Sequence, residues 1–248
     1  MLGKIAFLFL TISEINHEQP WINFFKGHEE RYSLYIHSKK EFNTASQFKK
    51  FELPFKIPTR WDLTMAAQVE LLKVALKNPA NQKFVFVSES TIPLQTFNVV
   101  YSQLMAHEWS IFEYYKPNPT LARCKAFMPI LPKMIYKNWQ WVVLNRKHAT
   151  LMANDQRYLK VMCRPYDQEH YPATFLNIMN LLRQEVVNKN TTLVIWPEKR
   201  SSHPVTFTNL RNDPYFPVLV DGIKKGMLFA RKFPKDCDLA LLTKYIKY

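Results

Sequence analysis

Glycine is scarce, with four in 248 residues, against roughly 17 expected from an average usage of about 7%. They stand at Gly3, Gly27, Gly222 and Gly226, so neither G-x-G-x-x-G nor G-x-x-x-x-G-K-[ST] can be written anywhere in the chain. That excludes the P-loop and the standard dinucleotide turn, both of which need glycine so that backbone amides can approach a phosphate closely. For any phosphate bound here, side-chain cations are the expected means, and the chain has them in excess. Cysteine is equally sparse. Cys124, Cys163 and Cys237 are odd in number and show no C-x-x-C spacing, which excludes a disulfide framework and a zinc ribbon and favours a reducing compartment. Long apolar runs are missing too. Ile5–Ile12 is eight residues, and no window reaches the roughly 18 apolar residues of a membrane span. The stretch carries no small-residue cleavage pattern, so it reads as a buried strand rather than a signal peptide. A soluble, cytoplasmic chain is expected, with peripheral membrane contact as the one membrane association its charge would support.

Acidic residues are the last shortage. Asp and Glu number 20 against 34 Lys and Arg, a formal charge of +14. With 47% hydrophobic and 15% aromatic residues, the composition is that of a folded basic protein, not a disordered one. The length fits a single domain over residues 1–248. Short apolar runs at Lys4–Leu10, Tyr32–Ile36, Phe84–Val87, Trp141–Leu144, Thr192–Trp196 and Met227–Ala230 predict buried strands. Helical spacing predicts helices over Leu63–Leu76, His148–Met152, Tyr171–Leu182 and Leu239–Tyr248, with a long lid-like loop over Lys116–Pro132. Strands alternating with helices imply an α/β sheet.

Three segments carry possible chemistry. Phe84–Val87 ends in Ser88, Glu89 and Ser90, and ligands of α/β sheets gather beyond the carboxyl ends of strands. An ordinary strand-to-loop exit would look the same. Asp167, Glu169 and His170 lie within four positions at a helix start. That grouping could hold a general base, or Asp167 could simply cap the helix with Glu169 in its first turn. Arg231 and Lys232 end an apolar strand, where cations can neutralise a diphosphate, although charge runs more often face solvent. Asp236-Cys237-Asp238 is the one D-x-D, a pattern that can chelate a divalent metal and more often caps a helix. Seven histidines, His37 and His148 among them, form no close metal-ligand pair, so no metal site is expected.

Taken in order, these segments resemble the core-2/I-branching β-1,6-N-acetylglucosaminyltransferase family, especially its plant-type branch. The likeness runs from about Lys4 to Phe233. It rests on Lys4–Thr11, on Trp21 with Phe24-Phe25, on Tyr35–Ser38, and on Trp61 with Glu70-Leu71-Leu72. It continues through Ser88–Leu94, Trp139-Gln140-Trp141, Asn145–Ala149 and Glu169-His170-Tyr171 with Thr174. Trp196, His203-Pro204 and Leu228–Phe233 complete it. The resemblance implies a GT-A-like (Rossmann-like) mixed α/β sheet flanked by helices. It also implies inverting transfer of a sugar, N-acetylglucosamine first among the candidates, from a UDP-sugar donor to a glycan or glycoprotein acceptor without a divalent metal or other cofactor.

By position, Glu169 would be the general base, and Lys232 with Arg231 would bind the donor diphosphate. Ser88, Glu89 and His37 would lie near the donor and the reaction centre. Trp196, Trp139, Trp141 and Arg123 would face the acceptor. The sequence departs from the family where Gln168 stands in place of the usual aspartate before the glutamate, where His37-Ser38-Lys39 replaces a uridine-side aspartate, and at Glu198. The competing reading is a non-catalytic basic protein that holds nucleic acid or another anionic surface. Without a nucleic-acid motif, nucleic acid is not the expected partner.

Overall fold

The computed structural model describes residues 3–118, 122–125, 127–198, 201 and 203–246. In chain order its strands are β1 (Lys4–Thr11), β2 (Tyr32–Ser38), β3 (Asn81–Ser88), β4 (Ile92–Pro93), β5 (Ser110–Ile111), β6 (Tyr114–Tyr115), β7 (Lys137–Asn138), β8 (Val143–Asn145), β9 (Val186–Val187), β10 (Thr192–Val194) and β11 (Phe229–Arg231). The main sheet has six strands in the order β2-β1-β3-β8-β5-β9, and a second sheet of three runs β10-β11-β4. The sheet is mixed: β1 lies parallel to both β2 and β3, whereas β8 runs antiparallel to β3 and β5. The mixed α/β sheet flanked by helices is therefore present.

The near-continuous apolar run of β1 is what a strand covered on both faces requires. Side chains alternate with period two, so Ala6, Leu8 and Leu10 join Phe84 and Phe86 in one core cluster, and Ile5, Phe7 and Phe9 join Val85 and Val87 in another. The first packs under the Met65–Leu76, Arg146–Ala153 and Tyr171–Ile178 helices. The second packs under the Glu18–Phe25 and Phe97–Met105 helices and holds the fully buried Trp21, whose ring meets Phe7, Phe9 and Phe229 edge-on or stacked. Burying such aromatics supplies the largest share of apolar area per residue.

The helix expected over Tyr171–Leu182 stops at Ile178, because Asn180 takes a left-handed turn at φ 58° and Leu181 N–H returns to the Leu176 carbonyl at 2.8 Å. Asparagine tolerates that conformation, and the chain restarts as Leu182–Glu185. The expected helix over Leu239–Tyr248 is a 3-10 segment over Ala240–Lys244, headed by Asp238, which accepts the Ala240 N–H at 2.8 Å. That assigns one half of the D-x-D to capping. The loop expected over Lys116–Pro132 contains a helical turn at Ala122–Lys125. Among the described residues no helix is long and apolar enough to cross a membrane.

Two features of the fold place the site. The chain passes from β1 to β2 on one side and then crosses to β3 on the other, so the carboxyl end of β1 is a topological switch point, where open α/β sheets bind ligands. Parallel register brings Thr11 beside Ser38, and Leu10 beside both His37 and Ser88. In the small sheet β10 and β11 are also parallel, Val194 pairing Arg231, so their carboxyl ends open in a common direction. The Phe216–Lys224 helix packs tightly behind them. A Cβ at Gly222 would come within 2.7 Å of Leu193 Cδ2, which accounts for one of the few glycines by close approach.

Candidate active site

A cavity of about 760 Å³ opens where the carboxyl ends of the two sheets face each other. Leu10, Thr11, His37, Ser88 and Glu89 come to it from β1, β2 and β3, and Val194, Trp196, Arg231 and Lys232 from β10 and β11. A third wall is built by Lys137, Trp139 and Trp141 together with Tyr166, Gln168 and Glu169. Nine of the ten residues singled out in the sequence thus line one cavity, although they span positions 37 to 232. The Arg123 side chain lies outside the described residues.

The Arg231 end is a buried charge cluster. The Arg231 guanidinium carbon sits 4.6 Å from the centroid of the Trp141 ring, a stacked cation–π arrangement. Burial pushes the guanidinium down to about 10, against the pull of Glu89; it is charged at neutral pH. Its Nε is buried with no protein partner, a donor in want of an acceptor. Burial and then Arg231 lower the Lys232 ammonium, and Glu89 opposes the shift. Burial raises the Glu89 carboxyl, while Arg231 and Lys232 hold it down. Glu89 is thus the counter-ion of both cations, which repel each other.

Two other predicted residues spend their polar atoms on the scaffold. His37 is fully buried and its Nε2 accepts the Ile57 N–H at 2.9 Å. Burial lowers its pKa, and the ring is therefore the neutral tautomer with hydrogen on Nδ1. Ser88 Oγ shares hydrogen bonds with Thr91 Oγ1 at 2.9 Å and Ser90 Oγ at 3.2 Å, closing the turn beyond β3. Trp141 is buried under Arg231 at 6% exposure, whereas Trp196 is 42% exposed and meets Trp139 at 5.9 Å between ring centroids. Trp139 is fixed by its Nε1, which donates to Glu113 at 2.9 Å. The three tryptophans therefore divide, one beneath a cation and two as a paired aromatic wall.

The Glu169 segment is locked to a helix far away in sequence. Asp167 caps a helix, but not the one that follows it: its carboxylate accepts the N–H groups of Thr64 at 3.1 Å and Met65 at 3.3 Å, at the head of the Met65–Leu76 helix. The Gln168 amide, oriented to suit its neighbours, donates to Asp167 Oδ1 at 2.7 Å. Tyr166 occupies the left-handed region at φ 67° and its N–H reaches the Asp62 carbonyl at 2.5 Å. A bulky residue held there signals a conformation imposed by its surroundings. Burial pushes the Asp167 carboxyl up to about 7. The folded state then holds a proton that the unfolded chain has released above pH about 4, so this group's contribution to stability falls as pH rises from about 4 to about 7. Asp167→Asn should remove that dependence. Between pH about 4 and about 7 the melting temperature of the wild type should fall relative to that of Asp167→Asn, and parallel pH profiles would refute the assignment.

Sequence reasoning missed Lys137. Its ammonium pairs with Glu169 Oε2 at 3.2 Å and lies 5.8 Å from the Trp139 ring centroid and 5.9 Å from that of Tyr115. Period two was the available signal, since positions 137, 139 and 141 all reach the cavity. Lys39, Lys40 and Arg60 also line it, making six cations against two carboxylates. Among the described residues no three His, Cys, Asp or Glu side chains gather as metal ligands. The cavity can bind a polyanion at the Arg231 end, offer an aromatic face at Trp139 and Trp196, and accept a proton at Glu169.

The chain is similar to known proteins. The glycosyltransferase BC10 of Oryza sativa subsp. japonica is 27% identical over 310 residues, covering 97% of this chain and 76% of that protein. A solved structure, an active-site mutant of LgtC, aligns over 92% of this chain and 87% of its own with a TM-score of 0.44 and 8% identity. Residues 5–215 match the family described as Core-2/I-Branching enzyme. With that match running over most of its length, the chain belongs to the core-2/I-branching family and is a glycosyltransferase.

Proposed function

We propose that the protein is an inverting glycosyltransferase that moves N-acetylglucosamine from UDP to a hydroxyl of a glycan acceptor, with fixed cations in the part a divalent metal takes in other transferases. The observation that carries this reading is the meeting, in one cavity, of a carboxylate at Glu169 and a buried cation pair at Arg231 and Lys232. The acceptor oxygen bonds to the anomeric carbon as its proton passes to Glu169, and the bond from that carbon to the diphosphate oxygen breaks. A single in-line displacement inverts the carbon and needs one base. Charge grows on the departing diphosphate, and preoriented cations in a partly water-excluded site stabilise it without reorganising.

The unpartnered Arg231 Nε supports a diphosphate oxygen at that end, and the Trp139–Trp196 pair supports a sugar ring of the acceptor, whose apolar face can lie on the indoles. Ser88 and His37, engaged in scaffold hydrogen bonds, shape the floor near the anomeric carbon. The test is a panel of UDP-sugars read by thermal shift and by transfer in excess EDTA. A ligand that binds only the folded state raises its stability in proportion to its affinity. UDP-N-acetylglucosamine should give the largest shift, with a β-configured product by NMR. Retention of anomeric configuration, or transfer that returns only with added manganese, would overturn the mechanism.

A further inference from the structure

Lys137 lies on β7, and the hydrogen bonds around it fix where its ammonium can be. On one side Tyr136 N–H donates to Thr174 Oγ1 at 3.0 Å, and the Tyr136 carbonyl is met by His170 Nδ1 at 2.9 Å. On the other, Asn138 Nδ2 donates to the Gln168 carbonyl at 3.0 Å, and its Oδ1 accepts the Ala173 N–H at 3.1 Å. Both neighbours of Lys137 are therefore stitched to both neighbours of Glu169 or to the helix that follows. Across the strand pair, Tyr115 stands opposite Lys137. The Tyr115 and Trp139 rings flank the lysine, and its side chain is 19% exposed. A lysine loses considerable rotamer entropy when held this way, and here the restraint comes from the scaffold before any ligand arrives.

We propose that Lys137 is a positioning residue for the reaction: through its contact with Oε2 it fixes the orientation of the Glu169 carboxylate that receives the acceptor proton. The inference rests on Glu169 as the base. Proton transfer requires the acceptor hydroxyl and the carboxylate within hydrogen-bond reach. A free glutamate rotates its terminal torsion broadly, and a misplacement of about 1 Å can cost on the order of 100-fold in rate. Pinning one oxygen to a fixed ammonium removes that freedom. The aromatic flanks keep the ammonium from swinging away, and the hydrogen bonds through Tyr136 and Asn138 hold the two segments at constant separation.

The test is Lys137→Met against Lys137→Arg, with Glu169→Gln as the control that examines the base itself. Lys137→Met should lower kcat roughly 100-fold, with KM for donor and acceptor and the Kd for UDP within about twofold, a split that loss of an interaction made only in the transition state produces. Lys137→Arg should recover at least about tenfold of that loss, since a guanidinium can still bond the carboxylate. In a Glu169→Gln background Lys137→Met should change the residual rate by less than about twofold, because a residue acting through Glu169 has nothing left to act on. A kcat within about twofold of wild type in Lys137→Met, a loss confined to acceptor KM, or no recovery with arginine would each overturn the proposal. If Glu169→Gln itself transfers at the wild-type rate, the failure lies in the assignment of the base, and that outcome is visible before any lysine variant is made.

Discussion

Glu169→Gln should reduce sugar transfer by roughly 100-fold to 10,000-fold, the usual contribution of a positioned general base, and leave the Kd for UDP within about twofold. The substitution keeps the size of the side chain and an oxygen for Lys137 to bond, so the segment from Tyr166 to His170 retains its fold. That segment is anchored by Asp167 at the Thr64 and Met65 amides and by Tyr166 at the Asp62 carbonyl, none of which involves the Glu169 carboxylate. The cations proposed for the diphosphate stand at the carboxyl end of β11 in the other sheet, Arg231 as its last residue and Lys232 just beyond it, which is why donor binding should survive. Transfer is followed by release of UDP in the presence of acceptor, and binding by calorimetry. A variant that transfers at an undiminished rate removes Glu169 from the mechanism, and one that loses UDP binding together with transfer shows that the two ends of the cavity are not independent.

The sequence shows the elements at the centre of the molecule most clearly. Ile5–Leu10 of β1 and Phe84–Val87 of β3 are runs of consecutive apolar residues because both faces are covered there, and such runs stand out against a polar background without knowledge of their partners. Their carboxyl ends then mark the site, and Ser88, Glu89, Arg231 and Lys232 follow from reading where apolar runs stop. Strand order and direction are another matter. The antiparallel insertion of β8 between β3 and β5 rests on pairings of only three residues and one residue, too short to leave a pattern in the chain. Helices of eight or nine residues at Glu18–Phe25, Phe97–Met105 and Phe216–Lys224 escape for a similar reason: two or three turns give periodicity little room to repeat, and Pro20 and Pro217 in their first turns look like breakers although they are tolerated there.

Within the site the hidden residues are those whose partners are distant. Asp167 reads as the cap of the next helix, and the N–H groups that donate to it lie 102 and 103 residues upstream. Lys137, between a tyrosine and an asparagine, reads as one more surface cation in a chain with 34 Lys and Arg. Only tertiary structure turns it toward Glu169. The cluster of Ser110, His148 and Glu185 shows the opposite hazard. Its spacings of 2.7 Å and 3.2 Å suit a nucleophile relay, yet the serine and histidine are shut off from solvent and Ser110 also accepts the Asn145 N–H. Burial pushes His148 down to about 4, which leaves it a neutral structural ring. The large positive charge, uninformative as a total, gains meaning by location, since six of the cations face the one cavity that holds the proposed base.

Lys232→Ala should weaken UDP binding by about 10-fold to 100-fold, the equivalent of the roughly 1.5–3 kcal/mol of a hydrogen bond to a charged group. The thermal shift produced by saturating UDP should shrink in step. Lys232 is the better test of the pair because Arg231 is the more deeply embedded: it lies on Trp141 and faces Glu89, so truncating it leaves a buried carboxylate with one cation fewer and risks the fold itself. Lys232 also faces Glu89 but is less deeply buried, and its main-chain carbonyl, which accepts the Phe207 N–H at 2.9 Å, is untouched by the substitution. The direction of its pKa adds a second readout. Burial and the Arg231 charge lower the ammonium below the ordinary lysine range. A lysine holds an anion only while protonated, so UDP affinity should be full at neutral pH and decline with rising pH sooner than an ordinary lysine would allow, whereas in Lys232→Ala this part of the pH dependence should be gone. Raised salt should weaken wild-type binding less than it would weaken exposed pairs, because partly buried charges are poorly screened. Unchanged UDP affinity in Lys232→Ala, at neutral pH and moderate salt, would take Lys232 out of the diphosphate site and leave Arg231 as the cation that the β11 end contributes.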